Sequence, residues 1–82
     1  MKNILNKVLS GLSDANIRFT DLRKLLLLLG FKERVKGDHH ILYKTGIPEI
    51  INLQPLKDGK AKPYQVKQCR KLIVKYTLNK DL

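Results

Sequence analysis

The chain has 82 residues, enough for one domain near the small end of what folds without disulfide or metal staples. Its 43% apolar residues suffice for a layer of helices on a small sheet and exclude a deep substrate cavity, while a single cysteine, Cys69, excludes an internal disulfide. Seventeen Lys and Arg against seven Asp and Glu give a net charge of +10, which points to a polyanion such as nucleic acid and leaves an acidic protein partner or plain solubility open.

Ile4, Leu5, Val8, Leu9 and Leu12 recur at helical spacing opposite Lys2, Asn3, Asn6 and Lys7, which predicts a short amphipathic helix ending at or near Gly11. That segment lacks the uninterrupted apolar core of a secretory signal. Residues Ser13–Arg18 read as a polar turn. Thr20 then reads as an N-cap with Asp21 favourable in the first turn, opening a helix over Asp21–Leu29 that stops at Gly30. Its five consecutive leucines, Leu25–Leu29, cover every face, so a neighbour must bury some of them, either the first helix or a partner protein. Five residues fall far short of the ~20 that a membrane span needs, and a soluble protein of the reducing cytoplasm is expected.

Phe31–Lys36 alternates apolar and charged residues, the period of a half-buried strand. Gly37-Asp38 makes a tight hairpin turn, and His39–Lys44 continues as a second strand. Gly46-Ile47-Pro48 breaks the pattern, Glu49–Gln54 forms a third strand ended by Pro55, and Lys57–Lys60 is a loop. Pro63 suits the first turn of a helix running to about Tyr76, with Val66, Cys69, Ile73 and Tyr76 as its apolar stripe and Lys67, Arg70, Lys71 and Lys75 around the remainder. The predicted class is α+β: helices on one face of a small three-stranded antiparallel sheet, in a single domain.

Chemistry concentrates at Gly37-Asp38-His39-His40, which holds both histidines of the chain. Imidazole, with an ordinary pKa of about 6.5, is the side chain that exchanges protons at cellular pH. Neighbours on a strand point to opposite faces, so one histidine should meet the helices and the other solvent or a ligand. Periodicity alone does not decide which. Lys32, Arg34 and Lys36 share one face of the preceding strand and can hold phosphates there. No phosphate-cradling glycine loop, paired carboxylates, Ser/His/Asp set or zinc-spaced Cys/His set competes, so no metal or cofactor is expected. Cys69 sits in an apolar stripe and reads as packing, as does Tyr76; Tyr43 and Tyr64 can stack on bases.

The leucine-rich helix leading into Gly30-Phe31, the basic strand, and Lys36-Gly37-Asp38-His39-His40-Ile41, followed by a hydrophobic strand and a terminal basic helix, resemble the HicA-type toxins of bacterial toxin–antitoxin systems. The resemblance covers about residues 19–76, with residues 1–12 as an additional N-terminal helix. Asp38 stands where that family has Ser, and Asn52-Leu53-Gln54-Pro55 stands where it commonly has Pro and a second His. The resemblance implies a double-stranded-RNA-binding-like fold and a metal-independent endoribonuclease that cleaves mRNA. It implies His39 as the general acid or base; Lys32, Arg34, Lys36 and Lys62, by their own charge, are expected to neutralise phosphates. A small acidic antitoxin of the HicB type would cover the His39 site. A non-catalytic RNA-binding module and a protein-interaction domain built on the leucine helix are the alternatives.

Overall fold

The computed structural model describes residues 1–80 and Leu82. Helix α1 (Lys2–Ser10) forms where the apolar spacing predicts it, and Gly11 ends it in the left-handed conformation at φ +70°. It is no appendage. Leu5 and Val8 enter the same core as the rest of the chain. Arg70 fastens this end by donating to the Val8 carbonyl at 2.9 Å and, through both terminal nitrogens, to the Asp14 carboxylate at 2.9 and 3.0 Å. Asp14 belongs to a single 3₁₀ turn, Asp14–Asn16, inside the stretch predicted as polar turn.

Helix α2 (Phe19–Leu28) starts two residues before the predicted Asp21, and Thr20 lies inside it rather than capping it. The capping residue is Arg18, which makes no side-chain cap. Tertiary backbone pairing replaces the cap: Phe19 N–H donates to the Gly59 carbonyl at 3.0 Å, and Ala61 N–H donates to the Ile17 carbonyl at 2.8 Å. The distant loop thus takes the first helical donor, and the Arg18 carbonyl accepts from Asp21 and Leu22 N–H, each at 3.1 Å. Of the five leucines, Leu25, Leu26 and Leu29 are buried and Leu27 packs at the core margin. Leu28 is left 53% exposed, so the run serves this chain's own core and offers a partner little.

Strands β1 (Lys32–Lys36), β2 (His39–Lys44) and β3 (Ile47–Leu53) form an open antiparallel meander with β2 in the middle. The third strand begins earlier than predicted: Ile47 and Pro48 belong to it instead of breaking the chain. The reversal is confined to Thr45-Gly46, where Gly46 takes φ +89°. Because β3 is an edge strand, Pro48 does not disrupt a central ladder by lacking an N–H. Leu42, Ile51 and Leu53 face the helices and are buried, while Tyr43, Ile50 and Asn52 between them are exposed. The sheet is therefore α+β in the predicted sense, with one face covered and one face open.

Helix α3 (Pro63–Tyr76) has the predicted bounds, with Pro63 in its first turn and Thr77 terminating it at φ +51°. Val66, Cys69, Leu72 and Ile73 are buried. Burial pushes the Cys69 thiol up to about 12, which leaves it a protonated packing residue. Tyr76 packs at the core margin and donates its hydroxyl to Glu49 at 2.6 Å. Among the described residues no helix is long and apolar enough to cross a membrane.

Candidate functional site

The β1–β2 hairpin decides what the two histidines can do. Its turn is two residues long, and Gly37 takes φ +62°, the positive value that the first position of a II′ turn requires. The register pairs Lys36 with His39, Arg34 with Ile41 and Lys32 with Tyr43. Residues directly opposite in an antiparallel pair share a face, so all three cations lie on the open face with His39. Val35 pairs with His40 and Glu33 with Leu42, which places those residues on the helix-covered face.

His40 is consumed by packing. Its ring stands edge-on to Phe19 with centroids 4.8 Å apart, and its Nδ1 lies 2.9 Å from Glu33 Oε2. Glu33 also accepts two hydrogen bonds from Arg23, each 2.6 Å, in the bidentate geometry that guanidinium and carboxylate share. The Arg23 hydrogen bonds, aided by His40, hold the Glu33 carboxyl below the usual carboxylate range against the opposing effect of burial. With 20% of its side chain exposed and one nitrogen committed, His40 is a structural histidine that ties α2 to the sheet.

His39 has the opposite surroundings. Its side chain is 49% exposed, its Nδ1 lies 3.2 Å from Asn52 Oδ1, and its Nε2 lies 3.8 Å from Asp38 Oδ1. The tautomer protonated on Nδ1 donates to Asn52 and leaves the Nε2 lone pair for a substrate proton. A cleft of about 280 Å³ opens beside the ring, lined by His39, Ile50, Asn52, Gln54, Tyr64, Gln65 and Gln68. It lies where the end of β3 meets the first turns of α3.

Hydrogen bonding fixes the cleft walls. Gln65 is buried, and its amide acts on β3 as a further strand would: the oxygen accepts from Gln54 N–H at 3.1 Å and the nitrogen donates to the Asn52 carbonyl at 3.0 Å. The Gln54 side chain accepts from Lys62 Nζ at 2.9 Å and donates to Asp38 Oδ2 at 2.8 Å. That donation from Gln54 keeps the Asp38 carboxyl below its ordinary value, with the charges of His39 and Lys62 adding to it. Lys62 is thus brought to the His39 site through one side chain. Lys32, Arg34 and Lys36 share the sheet face but make no ion pair or hydrogen bond among the described residues, so they remain available to an anion.

The cleft also gathers Asn52, Gln54, Gln65 and Gln68, residues that carry no catalytic or binding signature in the sequence. Asn52 and Gln54 alternate with apolar Ile51 and Leu53, a period-two signal that by itself assigns them to the open face. Nothing in the sequence marks Gln65 as buried. A second hollow on the open face is lined by Arg34, Ile41, Tyr43 and Pro48 among others, and meets the first at Ile50. Arg70 and Lys75, which the helix pattern assigns to a solvated face, are instead paired with Asp14 and Glu49. Among the described residues no three His, Cys, Asp or Glu side chains gather within reach of one metal ion. No family model, curated protein or solved structure matches the chain.

Proposed function

We infer that this protein is a metal-independent endoribonuclease acting on mRNA, the toxin of a type II toxin–antitoxin pair of the HicA kind, on a double-stranded-RNA-binding-like fold. The observation that carries the reading is the setting of His39: an open imidazole in a polar cleft, on the same sheet face as three cations that are unpaired among the described residues. The net charge of +10 supplies general attraction to RNA.

His39 Nε2 removes the proton of a ribose 2′-hydroxyl while that oxygen attacks the adjacent phosphorus. The bond from phosphorus to the 5′-oxygen breaks, water protonates the departing oxygen, the hydroxide so formed takes the proton back from His39, and the fragments end in a 2′,3′-cyclic phosphate and a 5′-hydroxyl. Lys36 and Lys62 offset the charge that builds on the phosphate, with Lys32 and Arg34 holding the flanking backbone. Asp38, kept ionised by its hydrogen bond from Gln54, accepts protons poorly and donates none at neutral pH. An acidic antitoxin of the HicB type would silence the protein by covering this cleft.

One observation favours a second reading. His39 is the single imidazole in the cleft, because His40 is turned to the other face. A protein that binds RNA there without cutting it fits the same surface. Incubating purified protein with unstructured RNA in EDTA separates the two. The nuclease reading expects fragments with cyclic-phosphate ends from wild type and intact RNA, still bound, with His39→Ala. Equal cleavage by both proteins removes His39 from the chemistry, and no cleavage by wild type at saturating protein leaves the binding module.

A further inference from the structure

We propose that the cleft beside His39 is a subsite for one unpaired nucleobase of an RNA strand, stacked on Tyr64 and read at its edge by the side-chain amides of Asn52 and Gln68. The proposal deepens the preceding reading and rests on it for the identity of the polymer. A double-stranded-RNA-binding-like fold by itself leads one to expect a paired ligand. The cleft has the opposite chemistry.

Tyr64 is 65% exposed although it lies in the first turn of a helix that buries most of its apolar residues. It follows Pro63, whose ring fixes the backbone, and its hydroxyl accepts from Gln65 Nε2 at 3.3 Å. Gln65 is itself buried and bonded to the backbone of β3. A water-exposed aromatic ring beside a polar cleft is a stacking platform through its face rather than its hydroxyl, and an unpaired base offers a free face to it where a base inside a duplex does not.

The amide inventory of the cleft separates structural groups from reading groups. Gln65 has both ends engaged by β3, and Gln54 has both ends engaged by Lys62 and Asp38. Asn52 commits its oxygen to His39. The Asn52 nitrogen and the whole Gln68 amide have no partner among the described residues. Two donors from one and a donor–acceptor pair from the other match the hydrogen-bonding edge of a base. The base would lie next to the imidazole that faces the phosphodiester, so its identity would set where the strand is cut.

The test measures binding of short fluorescent RNAs at low salt in a His39→Ala background, which keeps the RNA whole. The probes are four single-stranded homopolymers and one blunt duplex of equal length. The expected result is tighter binding of single strands than of the duplex. Tyr64→Ala should weaken single-strand binding about tenfold, Tyr64→Phe should retain it, and duplex binding should not respond to either. Gln68→Leu should flatten the order of affinity among the four homopolymers. Equal single-strand affinity for the Tyr64→Ala and parent proteins, or preference for the duplex, overturns the subsite. Cleavage by otherwise wild-type protein separates the two ideas. Tyr64-dependent binding without any cleavage keeps the subsite and ends the nuclease reading. His39-dependent cleavage with unchanged Tyr64→Ala binding does the reverse.

Discussion

His39 and His40 are neighbours in the chain, yet one looks out from an open sheet face and the other is built into the seam between sheet and helix α2. The His40 side consists of apolar and charge-paired contacts: Phe19, and Glu33 held by Arg23. The His39 side consists of amides, a tyrosine and cations that are unpaired among the described residues. One pleat of backbone separates a group that stabilises the fold from a group free to do chemistry. The division predicts that substitutions on the two sides will move different observables.

The largest effect is expected at His39. His39→Ala should reduce RNA cleavage about 10²- to 10⁴-fold, the usual contribution of a positioned general base, and leave the melting temperature unchanged. Kinetics at saturating RNA together with a thermal melt check both halves. His40→Ala should do the converse. It removes one hydrogen bond to Glu33 and an aromatic contact to Phe19, a loss of about 2 kcal/mol. In a domain of this size that lowers the melting temperature by roughly 10 °C. Cleavage measured well below the melt should persist, and loss of cleavage in a folded His40→Ala protein would break the division.

A smaller effect is expected from the open-face cations. Arg34→Ala should weaken all RNAs alike and reduce the slope of log affinity against log salt by about 0.7, the single-strand value for one phosphate contact. Stability should not change, since Arg34 makes no ion pair among the described residues. The smallest effects lie in the acid limb of stability. Glu33 and Asp38 both have carboxyls held below their ordinary values, by Arg23 and by Gln54 respectively. A depressed carboxylate stabilises the fold above its unfolded-state pKa, near 4, and that contribution disappears as pH falls through the folded-state value. Denaturant melts across the acid range should therefore show Glu33→Gln flattening the decline clearly. Asp38→Asn should flatten it only slightly, because Asp38 is exposed and screened by water.

Helix α3 and the hairpin at Gly37-Asp38 are legible in the sequence because their signals are local: a proline in the first turn, a glycine at positive φ, alternation on either side. The start of α2 is not, and Thr20 misleads there, because the first N–H of that helix, Phe19, is satisfied by the Gly59 carbonyl, far away along the chain. Pro48 reads as a breaker because an edge strand and a central strand carry the same residue codes. For the site, the opposite facing of the two histidines follows from strand period alone. Which one faces out does not, because it depends on the helices meeting Leu42 and Leu53 rather than Ile41 and Asn52. The cleft is hidden for a similar reason. Gln65 becomes part of it only by bonding the exposed edge of β3.

The chain contains two histidines, so its imidazole resonances form two sets that point substitutions assign directly. Titrating isotopically labelled protein with a single-stranded oligonucleotide, 2′-deoxy throughout to prevent cleavage, reports on both faces of the sheet at once. With His39 on the RNA-binding face, its carbon–proton resonances should shift progressively to saturation while those of His40 stay in place. Shifts at His40 with His39 unmoved would put the binding face on the other side of the sheet.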